Sequence, residues 1–205
     1  HGASGRMGAR LCALASSDAR YRLVGAIVRD QSPLIGRDAR TMQDADDRIT
    51  FAAGSSTIAS ADAVIDFSSD AGVPSAIAVA RGAKAALIVG TTALTKASID
   101  RLREIAQERP VLRFKKDAPS GTALRLAQAV RGVGHTLRDD QVLAIRGGDV
   151  VGEHTVRFAG PGEYLEFTHR ATSRDVFAKG ALRAAAWLKG RPPGWYTIDQ
   201  VVSER

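Results

Sequence analysis

The sequence predicts an α/β protein: a doubly wound parallel sheet followed by a smaller α+β unit. Three observations predict it. Short apolar runs alternate with helical patterns through the first half. A glycine-rich turn, residues 2–8, opens the chain and leads into a helical pattern, the arrangement such sheets use to hold ligands. The second half changes texture and carries two longer strand-like segments around a Gly-Pro-Gly turn.

The elements follow in order. Residues 22–28 (RLVGAIV), 63–67 (AVIDF) and 85–89 (AALIV) are short apolar runs of the kind that form strands buried on both faces. Val111 and Leu112 mark a weaker strand. Helical patterns lie between them at 7–16, 73–81 and 96–108. In the second half, Pro119-Ser120-Gly121-Thr122 opens a helix predicted over 118–130. Residues 149–159 and 163–170 read as two strands of an antiparallel hairpin. Gly160-Pro161-Gly162 between them suits a type II turn. An alanine-rich helix is predicted over 174–188, stopped by Gly190 and Pro192-Pro193.

Bulk properties narrow the function. A chain of 205 residues holds one large domain or two small ones. No apolar run approaches the roughly 18–20 residues of a membrane span, and the first residues have no apolar signal-peptide core. No membrane partner is expected. Cys12 is the single cysteine, which excludes an intrachain disulfide and fits a reducing compartment; it is expected to pack as a small apolar side chain on a helix. The net charge of +7 favours an anionic partner, with plain solubility as the alternative. The basic residues are scattered and aromatics make up only 5%, so nucleic acid is not the expected partner. The histidines show no ligand spacing, and no metal site is expected.

Two motifs carry chemistry. Gly2, Gly5 and Gly8 are spaced so that backbone N–H groups can approach a pyrophosphate at a helix start. A strand ends at Val28 about 20 residues later, where a ribose-reading residue is expected. Arg29 suits a 2′-phosphate and Asp30 a 2′-hydroxyl, so the reading leans to NADPH and leaves NADH open. Gly90-Thr91-Thr92 ends another strand and is expected to face the same crevice. The second motif is Asp117-Ala118-Pro119-Ser120-Gly121-Thr122, an anion cradle at a helix start preceded by Lys115 and Lys116. A carboxylate is its natural guest; an ordinary helix cap beside two exposed lysines is the alternative.

The strings GASGRMG (2–8), VIDFS (64–68), VGTT (89–92), KKDAPSGT (115–122), GDVVGEHT (148–155), LEFTHRA (165–171) and SRDVFA (173–178) occur in this order. Together they resemble the 4-hydroxy-tetrahydrodipicolinate reductase family, also called dihydrodipicolinate reductase, over nearly the whole chain. The resemblance implies a Rossmann-like dinucleotide domain over 1–113 and a substrate and oligomerisation domain with a mixed sheet over 114–173. It implies that 174–205 returns to the first domain. It further implies a cytoplasmic homotetramer of lysine and diaminopimelate biosynthesis that reduces a cyclic dicarboxylate with NADPH or NADH. By motif, Gly2, Ala3, Ser4, Gly5, Arg6 and Met7 would hold the pyrophosphate and adjacent ribose, and Arg29 the 2′-phosphate. Gly90, Thr91 and Thr92 would lie by the nicotinamide; Ser120, Gly121 and Thr122 would bind a substrate carboxylate. Lys115 matches the family's catalytic lysine, a proton donor or electrostatic aid.

The sequence also departs from the family. The family has a strand before the glycine turn, whereas here His1 stands directly before Gly2. Arg113 runs straight into Phe114, where the family has a long block with an Asn-Phe nicotinamide contact and a paired-histidine motif. The stretch 131–145 is a few residues short. His135, in a loop, and His154 and His169, in the hairpin, do not replace the paired histidines. Two readings follow: a reductase whose full chain holds residues outside this sequence, or a shortened, non-catalytic protein that binds NADP.

Overall fold

The computed structural model describes residues 1–39, 49–54, 58–114, 121–144 and 150–204. In chain order the elements are α1 (Arg6–Ser17), β1 (Ala26–Val28), β2 (Phe51–Ala53), β3 (Ala63–Asp66), α2 (Val73–Gly82), β4 (Ala86–Val89), α3 (Lys96–Ala106), β5 (Pro110–Arg113), α4 (Gly121–Gly132), β6 (Gly152–Gly160), β7 (Glu163–Ala171), α5 (Asp175–Leu188), β8 (Gly194–Tyr196) and α6 (Ile198–Ser203). They fall into two compact units: His1–Phe114 with Phe177–Arg205, and Lys115–Val176.

The first unit is a parallel α/β layer. β1 pairs with β2, and a four-stranded sheet runs β3-β4-β5-β8. All of these pairs are parallel. Residues 1–3 join the two sheets. The His1 backbone nitrogen donates to the Ile65 carbonyl at 2.7 Å. Phe67 N–H donates to the His1 carbonyl at 3.2 Å, and Ala3 N–H to the Ile27 carbonyl at 2.9 Å. These are parallel-ladder bonds, so residues 1–3 occupy the place between β1 and β3 where the family resemblance puts the end of its first strand.

Helices cover both faces, which explains the continuous apolar runs. All four residues of β4 are buried. Leu87 and Val89 pack with Val73, Ile77 and Ala80 of α2 and with Leu102 and Ile105 of α3. Ile88 and Leu112 face the other way, against Ala184 and Leu188 of α5 and Val201 of α6. Burying a side chain such as Leu87 stabilises the fold by about 1.5–3 kcal/mol. α1 and α5 meet through Leu11, Ala15, Ala178, Ala181 and Leu182. Cys12 is buried in a small cluster with Ala3, Ala26 and Val28, and burial pushes its thiol pKa up, which makes it a packing residue.

Some boundaries differ from the sequence expectation. The strand predicted over 22–28 is confined to Ala26–Val28, because β2 offers a ladder partner only three residues long. β2, β8 and α6 carry no periodicity long enough to read; α6 is capped by a box of Thr197 with Gln200. The helix predicted from 118 is described from Gly121.

The second unit holds α4 and the antiparallel β6–β7 hairpin, the part of the implied mixed sheet found among the described residues. The register pairs His154 with His169 and Phe158 with Leu165. Gly162 has φ +80°, as the third position of a type II turn requires. The hairpin has one polar face, with Glu153 opposite Arg170 and Arg157 opposite Glu166. Tyr164, Leu165 and Phe167 of β7 are all exposed.

Candidate cofactor site

The first unit brings the glycine turn, Arg29 and Gly90–Thr92 to one edge. The register fixes this: β3, β4 and β5 run parallel, and residues 1–3 align β1 with β3. The segments after Val28, Asp66 and Val89 therefore leave the sheet at its carboxyl edge, where open α/β sheets bind ligands.

Each glycine of the turn has its own physical role. Gly2 has φ +74°, and a Cβ there would stand 2.7 Å from the Phe67 carbonyl oxygen. Gly8 lies against the backbone of Gly2 and Ala3, which brings α1 close to the sheet. Gly5 is different: its nearest contact would be the Gly2 oxygen at 3.2 Å. It is the N-cap of α1 and provides no side-chain cap. Ser4, Gly5 and Arg6 are exposed there, and the first turn of α1 carries no acidic residue. A helix start whose N-cap offers no side chain and whose first turn holds no carboxylate fits a pyrophosphate. Met7 is half-buried beside Leu11 and Ala15. Arg29 and Asp30 are exposed just beyond β1.

Sequence reasoning missed the group at the centre of this edge. Asp66 is fully buried. Its carboxyl accepts from Ser68 Oγ at 2.6 Å and from Thr91 Oγ1 at 2.6 Å. His1 Nδ1 lies 2.7 Å from it, and His1 Nε2 reaches Ser75 Oγ at 3.2 Å. Thr91 Oγ1 also accepts from Ser68 N–H at 2.9 Å. The Thr91 side chain is thus turned into the protein, whereas Thr92 is exposed. An acidic residue inside the apolar run AVIDF was the available signal, since a buried charge needs partners.

A second carboxylate ties the same loops at the surface. Asp70 accepts from Thr95 N–H at 2.7 Å and from its hydroxyl at 3.1 Å. The Thr95 N–H, followed by the Ser98 hydroxyl, holds the Asp70 carboxyl below the usual carboxylate range. Phe67 lies over Gly90, where a Cβ would come within 2.2 Å of its ring. Phe67 also packs against Phe114, with ring centroids 6.5 Å apart.

Lys115 and Ser120 lie outside the described residues, and Gly121 and Thr122 are placed as the start of α4 by their backbone. Among the described residues no cluster of three metal-ligating side chains occurs. His154 and His169 face each other across the hairpin, with their Nδ1 atoms 3.4 Å apart. No helix among the described residues is long and apolar enough to cross a membrane.

Comparison with known proteins agrees with this geometry. Residues 1–115 match the family model described as dihydrodipicolinate reductase, N-terminus, and residues 104–202 match the C-terminus model. The chain is 35% identical to 4-hydroxy-tetrahydrodipicolinate reductase of Aquifex aeolicus over 264 aligned positions, covering 98% of this chain and 96% of that protein. It is 37% identical to the protein of the same name from Myxococcus xanthus, covering 98% of this chain and 95% of that one. Both alignments are longer than the 205 residues of this chain, so each relative has internal residues with no counterpart here. A solved dipicolinate-bound dihydrodipicolinate reductase from Paenisporosarcina sp. TG-14 shares the fold, with a TM-score of 0.61 at 15% identity, covering 96% of this chain and 95% of that one.

Proposed function

The chain belongs to the dihydrodipicolinate reductase family, and from that premise we propose that it reduces 4-hydroxy-tetrahydrodipicolinate to tetrahydrodipicolinate with NAD(P)H, in lysine and diaminopimelate biosynthesis. The observation that carries the reading is the convergence of the glycine turn, Arg29 and Gly90–Thr92 at the carboxyl edge of the two parallel sheets that residues 1–3 join. Bound at that edge, NAD(P)H would supply a hydride; loss of the substrate hydroxyl as water, with one proton taken up, would balance the reaction.

The chain's own residues bind and orient. Gly2, Ala3, Ser4, Gly5, Arg6 and Met7 hold the pyrophosphate and ribose at the start of α1. Exposed Arg29 meets a 2′-phosphate, so NADPH is the preferred cofactor, with Asp30 leaving NADH usable. Gly90, Thr91 and Thr92 border the nicotinamide. Ser120, Gly121 and Thr122 hold a substrate carboxylate, and Lys115 lends positive charge at the reacting centre. The substrate reading is supported by relatives named for this reductase and by a dipicolinate-bound fold neighbour. We also propose a cytoplasmic homotetramer. The exposed Leu165 and Phe167 support self-association, because a two-stranded hairpin is marginal alone.

The test is NADPH oxidation with freshly generated substrate, repeated with dipicolinate added. Substrate-dependent oxidation, inhibited by dipicolinate in competition with the substrate, is expected. NADPH binding without turnover would instead identify the non-catalytic protein.

A further inference from the structure

We propose that Asp66, acting through Thr91, is the positioning residue of the nicotinamide loop, residues 90–95. This rests on reading Gly90–Thr92 as the segment beside the nicotinamide. Two ties fix the ends of the loop. At the inner end, the fully buried Asp66 carboxyl takes the Thr91 hydroxyl, and the Asp66 carbonyl takes Gly90 N–H at 2.8 Å. At the outer end, Asp70 takes the Thr95 N–H and hydroxyl. Between the ties Ala93 has φ +55°, the left-handed region that disfavours any residue with a Cβ. A non-glycine residue stays there only when its surroundings over-determine it. The two carboxyl groups supply that constraint, and the exposed Thr92 is what the held loop presents to the crevice.

The same Asp66 carboxyl also meets Ser68, and His1 beside the glycine turn. One buried group thus sets the mutual placement of three segments around the cofactor. Since Asp66 has several structural partners, the test is placed at Thr91. NADPH itself is the probe, titrated by its nicotinamide fluorescence, and melting of the cofactor-free protein is measured alongside.

T91V removes the hydroxyl and keeps the shape. It is expected to weaken NADPH binding about tenfold or more, the scale of one lost hydrogen bond with an unsatisfied buried partner. T91S keeps the hydroxyl and is expected to bind as the parent does. Adding A93G to T91V is expected to restore part of the affinity, because glycine holds the left-handed conformation without the tie. A purely structural Thr91 would lower the melting temperature, leave NADPH affinity of the folded protein unchanged, and show no rescue by A93G. Unchanged affinity in T91V, or loss that A93G does not relieve, overturns the inference alone. A parent protein that binds neither NADPH nor NADH overturns the reading beneath it as well.

Discussion

Gly8 rests directly on the backbone of Gly2: a Cβ on Gly8 would stand 2.3 Å from the Gly2 carbonyl oxygen. Gly5, three residues earlier, has ordinary extended backbone and its nearest contact at 3.2 Å. The two positions therefore separate folding from binding. Gly8→Ala is expected to destabilise the protein by about 1–3 kcal/mol through overpacking against backbone that cannot yield. Gly5→Ala is expected to melt close to the parent while losing NADPH affinity, because its methyl occupies space left for the pyrophosphate. Urea unfolding and cofactor titration of both variants check this; equal stability losses would contradict it.

On the proposed function, Arg29 sets the preference between the two cofactors. Its guanidinium lies exposed just past β1, next to Asp30. Arg29→Ala is expected to weaken NADPH binding about tenfold, as loss of a charge-assisted contact does, and to leave NADH binding unchanged. Parallel titrations with the two cofactors measure it. An equal loss for both would place Arg29 away from the 2′-phosphate.

Acid should loosen the crevice edge. The pKa of Asp70 is lowered by the Thr95 N–H. A depressed carboxylate pKa contributes stability that is complete above its unfolded value and disappears as pH falls through the folded value. Asp18 behaves likewise beside Arg20, with its pKa lowered from 3.8 to about 2, so its contribution fades across that interval. Both groups are half-exposed, solvent screens them, and the effects are small. Asp70→Asn is expected to flatten the acid limb of the melting temperature. An unchanged limb would show that the Thr95 contact adds nothing.

The hairpin surface should hold the protein together as an oligomer. Leu165 and Phe167 are 58% and 61% exposed, and their parity puts them on one face with Phe158 and Val156. The double substitution L165K/F167K is expected to lower the solution mass to that of one chain, measured by sedimentation or light scattering. A parent that already sediments as a monomer would remove the oligomer proposal.

The central strands were legible because full burial on both faces makes them continuous apolar runs, as in residues 85–89. The glycine turn was legible because its spacing is a local steric requirement. β2 and β8 were not, since three residues show no period. Asp66 was hidden for another reason: its partners His1 and Thr91 lie 65 and 25 residues away. Only the fold brings them together. Thr91 reads as a cofactor neighbour in the sequence, and its hydroxyl bonds instead to Asp66 and Ser68, partners that only the fold supplies. Lys115 and Ser120 rest on the KKDAPSGT string alone.

Catalysis by this chain is the property on which the proposed function depends. The most direct measurement is NADPH oxidation by the purified protein with freshly generated 4-hydroxy-tetrahydrodipicolinate, with cofactor binding recorded in the same sample. Oxidation that depends on both substrate and protein and yields tetrahydrodipicolinate is expected. Saturable NADPH binding with no substrate-dependent oxidation would contradict it.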